Sequence, residues 1–189
     1  MKRYLFVIVT VCCMLSIAAI KMKSPNSKAS KGLRSGPVVV SHENAKKVFK
    51  LDKFYMAQNQ IKNSFIDNGK IVTDNATNLM WQKAGSDESL NFAMAKEYIA
   101  KLNKTKFSGH SDWRLPTVSE LTSLVNSTKQ LSAKNKNSIF NKKQAWIWSS
   151  DTLDKSSKYA WYVIPIGGRV VNSNDRIVSS FVRAVRTKK

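Results

Sequence analysis

The position of the cysteines is the feature that most restricts how this chain can fold. The chain has 189 residues and two cysteines, Cys12 and Cys13, which are adjacent near the N-terminus. No cysteine follows them, so the rest of the chain can form neither a disulfide framework nor a cysteine-ligated metal site. A domain downstream must therefore be stabilised by burying apolar side chains, and 42% of the residues are hydrophobic.

The N-terminus carries an apolar run that is typical of export. Basic residues precede and follow residues 4–20, which are uncharged, and cleavage after Ala18 fits the pattern of a secretory signal. A retained membrane anchor is an alternative, although 17 helical residues span only about 25 Å. A lipoprotein is a third, less well matched because Val11 stands where a lipobox has a small residue. We interpret residues 1–23 as a signal peptide or N-terminal membrane anchor, which exports the rest to the periplasm, cell surface or medium.

The exported part divides into a linker and a domain. Residues 24–40 are rich in Ser, Lys, Gly and Pro and predict a flexible linker. Residues 42–63 have apolar side chains partly in helical phase, so they predict a helix that packs on the domain or bridges to it. We therefore predict a basic linker with a candidate helix over residues 24–64. Residues 65–189 form the domain, which is long enough for one core.

Local signals predict a hairpin and two helices in the first half of the domain. Asn68-Gly69 lies between β-type residues and predicts a tight hairpin. Apolar residues recur at helical spacing over residues 91–103 and predict the first helix. Thr117 and Glu120 have the spacing of a capping box, which predicts a second helix up to about Val125.

Strand signals dominate the second half. A basic stretch over residues 129–143, interrupted by Ile139 and Phe140, predicts a long loop. The predicted strands are residues 79–82, 146–148, 159–164, 169–171 and 181–185. Because helices come early and strands late, the pattern predicts the α+β class, a compact domain with a mainly antiparallel sheet and two helices.

Five motifs occur in order over about 120 residues. They are residues 71–83 (IVTDNATNLMWQK), 112–117 (DWRLPT) followed by Glu120-Leu121, 148–150 (WSS), 160–161 (AW) and 182–186 (VRAVR). In this order they resemble the Lcl C-terminal domain family, a bacterial family named after a collagen-like adhesin. The Arg-Leu-Pro-Thr-x-x-Glu element is also similar to one in formylglycine-generating enzymes, whose fold is related to C-type lectins. The resemblance implies a compact α+β domain and admits a C-type-lectin-like or formylglycine-generating-enzyme-like version of it.

Two departures accompany the resemblance. Members of the family often carry cysteine where this chain has Ile99 and Ala184, which fits a bridge exchanged for apolar packing. Asn78 stands where the family usually has glycine. Since asparagine tolerates a left-handed backbone, we expect the turn to survive.

The conspicuous motif residues are interpreted mainly as structural. Trp113 and Leu115 alternate toward a core, while Asp112, Arg114 and Glu120 are expected to pair with one another. The tryptophans at positions 81, 146, 148 and 161 are expected mostly in the core. Alternation places Trp161 and Tyr162 on opposite faces of a strand, so one of them is expected to be exposed. The same rule leaves Arg183 exposed or paired.

Signals of catalysis are poor. The chain has two histidines, and Ser149-Ser150 lacks the Gly-x-Ser-x-Gly elbow of hydrolases. Asp67 with Asp74, and Asp151 with Asp154, are candidate carboxylate pairs, but they occur in turn-like contexts where aspartate is common. The chain also lacks the Glu-Pro-Asn and Trp-Asn-Asp motifs of calcium-dependent lectins. We expect no catalytic residue, no metal and no cofactor, with an enzyme on a lectin-like scaffold as a distant alternative.

Charge is the remaining functional signal. The chain has 32 Lys and Arg residues against 12 Asp and Glu, a net charge of +20, and the excess that lies outside residues 1–23 is spread over linker and domain. Such a field attracts polyanions. For an exported protein these are acidic or sulfated polysaccharide, an anionic lipid surface or extracellular DNA, whereas cytosolic nucleic acid is not expected.

The resemblance and the charge together predict a non-enzymatic binding module of the bacterial envelope or surface. The founding adhesin of the family attaches to sulfated glycans, which implies a similar polyanion ligand here. The candidate ionic contacts are Lys134, Lys136, Lys142, Lys143, Arg169 and Arg176, and the candidate stacking residues are Trp146 and Tyr162. The alternative is a structural or interaction protein of the cell envelope without glycan binding. The sequence does not fix the oligomeric state.

Overall fold

The structure, a computed structural model, describes residues 32–58, 61–125, 139–141, 143–155, 159–165, 167–174 and 179–189. The predicted signal or anchor, the first part of the predicted linker and most of the predicted basic loop lie outside the described residues. Within the described ranges, no helix is both long and apolar enough to cross a membrane.

The described elements form two small antiparallel sheets with helices packed on them. The helices are α1 (His42–Phe49), α2 (Phe92–Lys104) and α3 (Val118–Ser123). The strands are β1 (Phe65–Asp67), β2 (Ile71–Asp74), β3 (Leu79–Gln82), β4 (Ile147–Thr152), β5 (Tyr159–Ile164), β6 (Arg169–Asn174) and β7 (Val185–Thr187). One sheet has the order β1-β2-β3-β7 and the other β4-β5-β6, and every pairing between these strands is antiparallel. The α+β prediction is confirmed.

Local sequence signals are confirmed in the first half of the domain. The Asn68-Gly69 turn joins β1 to β2. The side chain of Asn91 caps α2, and Thr117 and Glu120 form the reciprocal capping box at the start of α3. Asn78 has a φ of 58°, so asparagine does adopt the left-handed turn.

Two predicted elements are shorter or displaced. The helix predicted over residues 42–63 ends at Phe49, because Lys50 adopts a left-handed conformation and the chain turns back. The strand predicted over residues 181–185 begins only at Val185, since the residues before it make isolated bridges to other segments. Local propensity does not distinguish a ladder from such single bridges.

The central strand β5 of the sheet β4-β5-β6 is covered on both faces. On one face Trp161 packs against Phe49 of α1, with ring centroids 5.3 Å apart. On the other, Tyr162 packs against Trp148, which in turn contacts Phe92 of α2. Trp161 is fully buried and Tyr162 is 8% exposed. The prediction that one of this pair is exposed is therefore wrong, because helices cover both faces.

A segment of the predicted linker, the N-terminal strap (residues 33–40), is packed on the domain. It pairs with the edge of β4 through two backbone hydrogen bonds with Thr152. Within the strap, Arg34 forms an ion pair with Asp151 at 2.7 Å. Asp151 is fully buried inside β4, so its assignment to a turn-like context is wrong.

The charged residues of the central motif pair as expected only in part. Arg114 donates two hydrogen bonds of 2.6 Å to Glu120. Asp112 instead accepts from Arg186, at 2.6 Å, because β7 passes beside it. Trp113 and Leu115 are buried, as predicted.

The two positions where the family often has cysteine belong to one apolar cluster. Ala184 is buried in it beside Leu102 and Trp113, and the half-buried Ile99 packs against it. Apolar packing thus occupies the place of the bridge, as expected.

Candidate functional site

Three of the predicted ligand-binding residues lie on one face of β4-β5-β6. The register opposes Tyr162 to Val171 and Ile164 to Arg169. Trp146 directly precedes β4, and its ring lies 6.0 Å from the ring of Tyr162. We call these five residues the Trp146 face.

The accessible parts of this face are an indole and a guanidinium. Trp146 is 44% exposed and Arg169 is exposed, whereas Tyr162 is almost covered. Trp146 is therefore not a core residue, because it lies just before the sheet ladder begins. Tyr162 supports the indole from the sheet and offers little stacking surface of its own. Burial raises the pKa of the Tyr162 phenol, and the nearby positive charge of Arg169 opposes this rise.

The buried Arg183 holds the chain segment that leads into the Trp146 face. Its guanidinium donates to the carbonyls of Gln82 (2.9 Å) and Asn141 (3.0 Å) and to the Gln144 Oε1 atom (2.7 Å). Burial lowers its pKa to about 9. Of the two predicted alternatives, exposed or paired, exposure is wrong because Arg183 is fully buried, and its partners are carbonyl and amide oxygens. The available signal was an arginine flanked by two small apolar residues in the closing motif.

The remaining predicted ionic residues are only partly placed. Lys143 is exposed and precedes Gln144, the residue held by Arg183. Lys134, Lys136, Lys142 and Arg176 lie outside the described residues. The structure therefore brings together Trp146, Tyr162 and Arg169, with Lys143 close along the chain.

Many carboxylates of the described residues are engaged inside the protein. The fully buried ones are Asp74, Glu120 and Asp151. The Trp146 face itself has no acidic residue. A neighbouring loop carries the exposed Asp87 and Glu88, and its Ser86 carbonyl accepts a hydrogen bond from Gln144. Within the part of the chain that the structure describes, no group of three His, Cys, Asp or Glu is placed to hold a metal ion.

The fold and the Trp146 face define an antiparallel α+β domain that carries an exposed indole and an exposed arginine on the same face of one sheet. Residues 70–186 match the family model of the Lcl C-terminal domain, and the chain belongs to that family. No curated protein and no solved structure matches the chain. The match leaves out α1 and the N-terminal strap, although Val40, Ala45 and Phe49 contribute to the main apolar core.

Proposed function

We propose that this chain is an exported, non-enzymatic binding module that recognises sulfated or acidic polysaccharides through the Trp146 face. The observation that carries the proposal is the exposed indole of Trp146 on the same sheet face as the exposed guanidinium of Arg169. Export is inferred from the apolar run over residues 4–20.

The chemistry of the two side chains suits an acidic sugar. The face of an indole packs against the C–H face of a pyranose ring, while a guanidinium presents a planar fork to a sulfate or carboxylate. The Tyr162 ring lies next to the indole, with centroids 6.0 Å apart, and a side chain that packs against a neighbour before binding loses less entropy on binding. The excess of cations over acids adds a long-range attraction to a polyanionic chain.

Retention on an immobilised sulfated polysaccharide tests the proposal. The chain from Ser24, which keeps every described residue, is loaded at low salt after cooperative urea unfolding has verified its fold. We expect retention that falls steeply with salt and that soluble sulfated glycan displaces better than DNA does. Trp146→Ala and Arg169→Gln should each weaken binding about tenfold. The matched control Lys101→Gln removes one exposed charge from α2 and should have little effect.

Three outcomes would reject the proposal. Equal displacement by DNA would mean attraction by charge without recognition of a sugar. Elution at low salt would favour the envelope interaction protein without glycan binding. Unchanged retention of the Trp146 and Arg169 variants would place any glycan site elsewhere.

A further inference from the structure

A short hairpin after α1 projects an aromatic side chain into solvent. Leu51 and Ala57 form an isolated antiparallel bridge, and the Asp52 N–H donates to the Met56 carbonyl at 2.9 Å. Lys53 and Phe54 are at the tip between these pairs. Phe54 is 64% exposed, the largest exposed fraction of any large hydrophobic residue in the described ranges.

The tip is held in shape by hydrogen bonds. The Oδ1 atom of Asp52 accepts from the backbone N–H groups of Phe54 (2.8 Å) and Met56 (2.9 Å). The Tyr55 N–H donates to the Asp52 carbonyl at 3.1 Å, and Tyr55 has a φ of 63°. This turn fixes the backbone that presents Phe54, so the exposure is built into the fold.

Four lysines lie close to this aromatic tip along the chain, and the Nζ atoms of two of them lie over the rings of Phe54 and Tyr55. Lys46, Lys47, Lys50 and Lys53 are all exposed, and none of them takes part in an ion pair within the described part of the chain. The same segment carries two acids, and Asp52, which lies within the tip, offsets one of the lysine charges. Asp52 accepts the turn N–H groups, and Glu43 accepts from Ser41 at the other end of α1.

We propose that this basic hairpin tip (residues 46–54) docks on an anionic lipid surface, with Phe54 entering the headgroup region. A lysine near an anionic bilayer contributes attraction, and an apolar ring gains by leaving water. The second arm of the hairpin is bonded to β6, where the Val170 N–H donates to the Tyr55 carbonyl at 2.9 Å, while the Phe54 ring before it is open to solvent. The proposal does not depend on glycan binding at the Trp146 face.

The ring contacts favour lipid over sugar as the partner. The Nζ atom of Lys53 lies 5.0 Å from the Phe54 ring centroid, and that of Lys46 lies 4.8 Å from the Tyr55 centroid. Each ammonium occupies one face of its ring, which leaves a stacked sugar only the opposite face. The edge of Phe54 stays free to insert, and the ammonium groups stay at headgroup level.

Quenching of an introduced indole by brominated lipid tests the proposal on the full chain. Phe54→Trp is mixed with vesicles of phosphatidylcholine, either pure or with about one-third phosphatidylglycerol, which makes the surface anionic. The unsubstituted chain gives the background of the native tryptophans. Met94→Trp is the matched control, because Met94 is an exposed apolar residue on α2.

We expect the indole at position 54 to be quenched in anionic vesicles and to be spared in pure phosphatidylcholine, while the indole at position 94 is spared in both. Introducing Lys50→Gln and Lys53→Gln into the Phe54→Trp chain should lower the ratio of vesicle-bound to free protein about fivefold per lysine in anionic vesicles. Lys101→Gln with Lys104→Gln, on α2, should leave it unchanged.

Absence of quenching in anionic vesicles, or equal quenching in both lipids, would overturn the proposal. An emission shift on adding soluble sulfated polysaccharide without vesicles that is larger in Phe54→Trp than in the unsubstituted chain, whose Trp146 gives the background, would assign the tip to glycan, which also overturns it. Column retention of the Trp146 and Arg169 variants is measured separately, so the two proposals can fail independently.

Discussion

Asp151→Asn should loosen the attachment of the N-terminal strap and destabilise the whole domain. The Asp151 carboxylate accepts two hydrogen bonds from Arg34, at 2.8 and 2.7 Å. It also accepts from the backbone N–H groups of Val38 (2.9 Å) and Val118 (2.7 Å). One buried side chain thus joins the strap, the start of α3 and β4. Asparagine keeps the shape but turns an NH2 group toward donors that need an acceptor.

The size of the effect follows from these contacts. A buried N–H left without an acceptor costs about 1–3 kcal/mol, and the lost charge-assisted bonds to Arg34 add about 1 kcal/mol, because Arg34 is 28% exposed and partly solvated. We expect Asp151→Asn to lower the free energy of unfolding by about 3 kcal/mol. Arg34→Gln should lower it by about 1–2 kcal/mol, since Asp151 keeps its two backbone donors.

Urea unfolding followed by tryptophan fluorescence measures these values, provided that the slope of the free energy against urea stays constant. The double variant should lose less than the sum of the two single variants, with a coupling of about 1 kcal/mol. Glu97→Gln on α2 is the control and should stay within about 0.5 kcal/mol of the unsubstituted chain. A loss below that level for Asp151→Asn, or zero coupling, would refute the role of this pair.

Three further predictions concern stability. The hydrogen bond from Arg186 holds the pKa of Asp112 at about 2, below the ordinary 3.8. Ionised Asp112 therefore contributes its full stabilisation of the folded state above pH 4, and this stabilisation is lost as the pH falls toward 2. Screening by solvent limits it to about 1 kcal/mol. Asp112→Asn should remove this part of the pH dependence of the free energy of unfolding. Arg183→Met should lower the free energy of unfolding by about 2–4 kcal/mol, because carbonyl and amide oxygens lose their buried donor; unchanged urea unfolding would contradict it. Gly168→Ala should cost about 2–3 kcal/mol, since the Cβ atom would overlap the Val125 side chain at a φ of 75°; a thermal midpoint equal to that of the unsubstituted chain would contradict it.

The sequence predicts best those elements whose signals are local. The Asn68-Gly69 hairpin, the capping box at Thr117 and the strand over residues 159–164 depend on neighbours within a few residues. All three are in the structure at the predicted places.

Features that depend on distant contacts were missed or wrongly predicted. The burial of Arg183 depends on carbonyl groups about 40 and 100 residues away along the chain. The strap is polar in composition, and its packing follows from a buried aspartate that lies 117 residues further on. Both faces of β5 are covered because α1 packs on the Trp161 side, and alternation along a strand does not indicate what covers either face.

The residue types in the sequence predicted the members of the candidate site, and the register between the strands brings them to one face of the sheet. Trp146, Tyr162 and Arg169 lie on three different strands or their ends, so alternation within one strand does not bring them together. The antiparallel register does, and it also decides that Trp146 is the exposed aromatic residue and Tyr162 the covered one.

The most direct test of the central claim is the salt dependence of retention on immobilised sulfated polysaccharide, compared between the unsubstituted chain and Trp146→Ala with Arg169→Gln. The account predicts that the double variant, folded as judged by its urea transition, elutes at much lower salt than the unsubstituted chain, whereas Lys101→Gln does not. Coincident elution of the double variant and the unsubstituted chain would contradict binding at the Trp146 face.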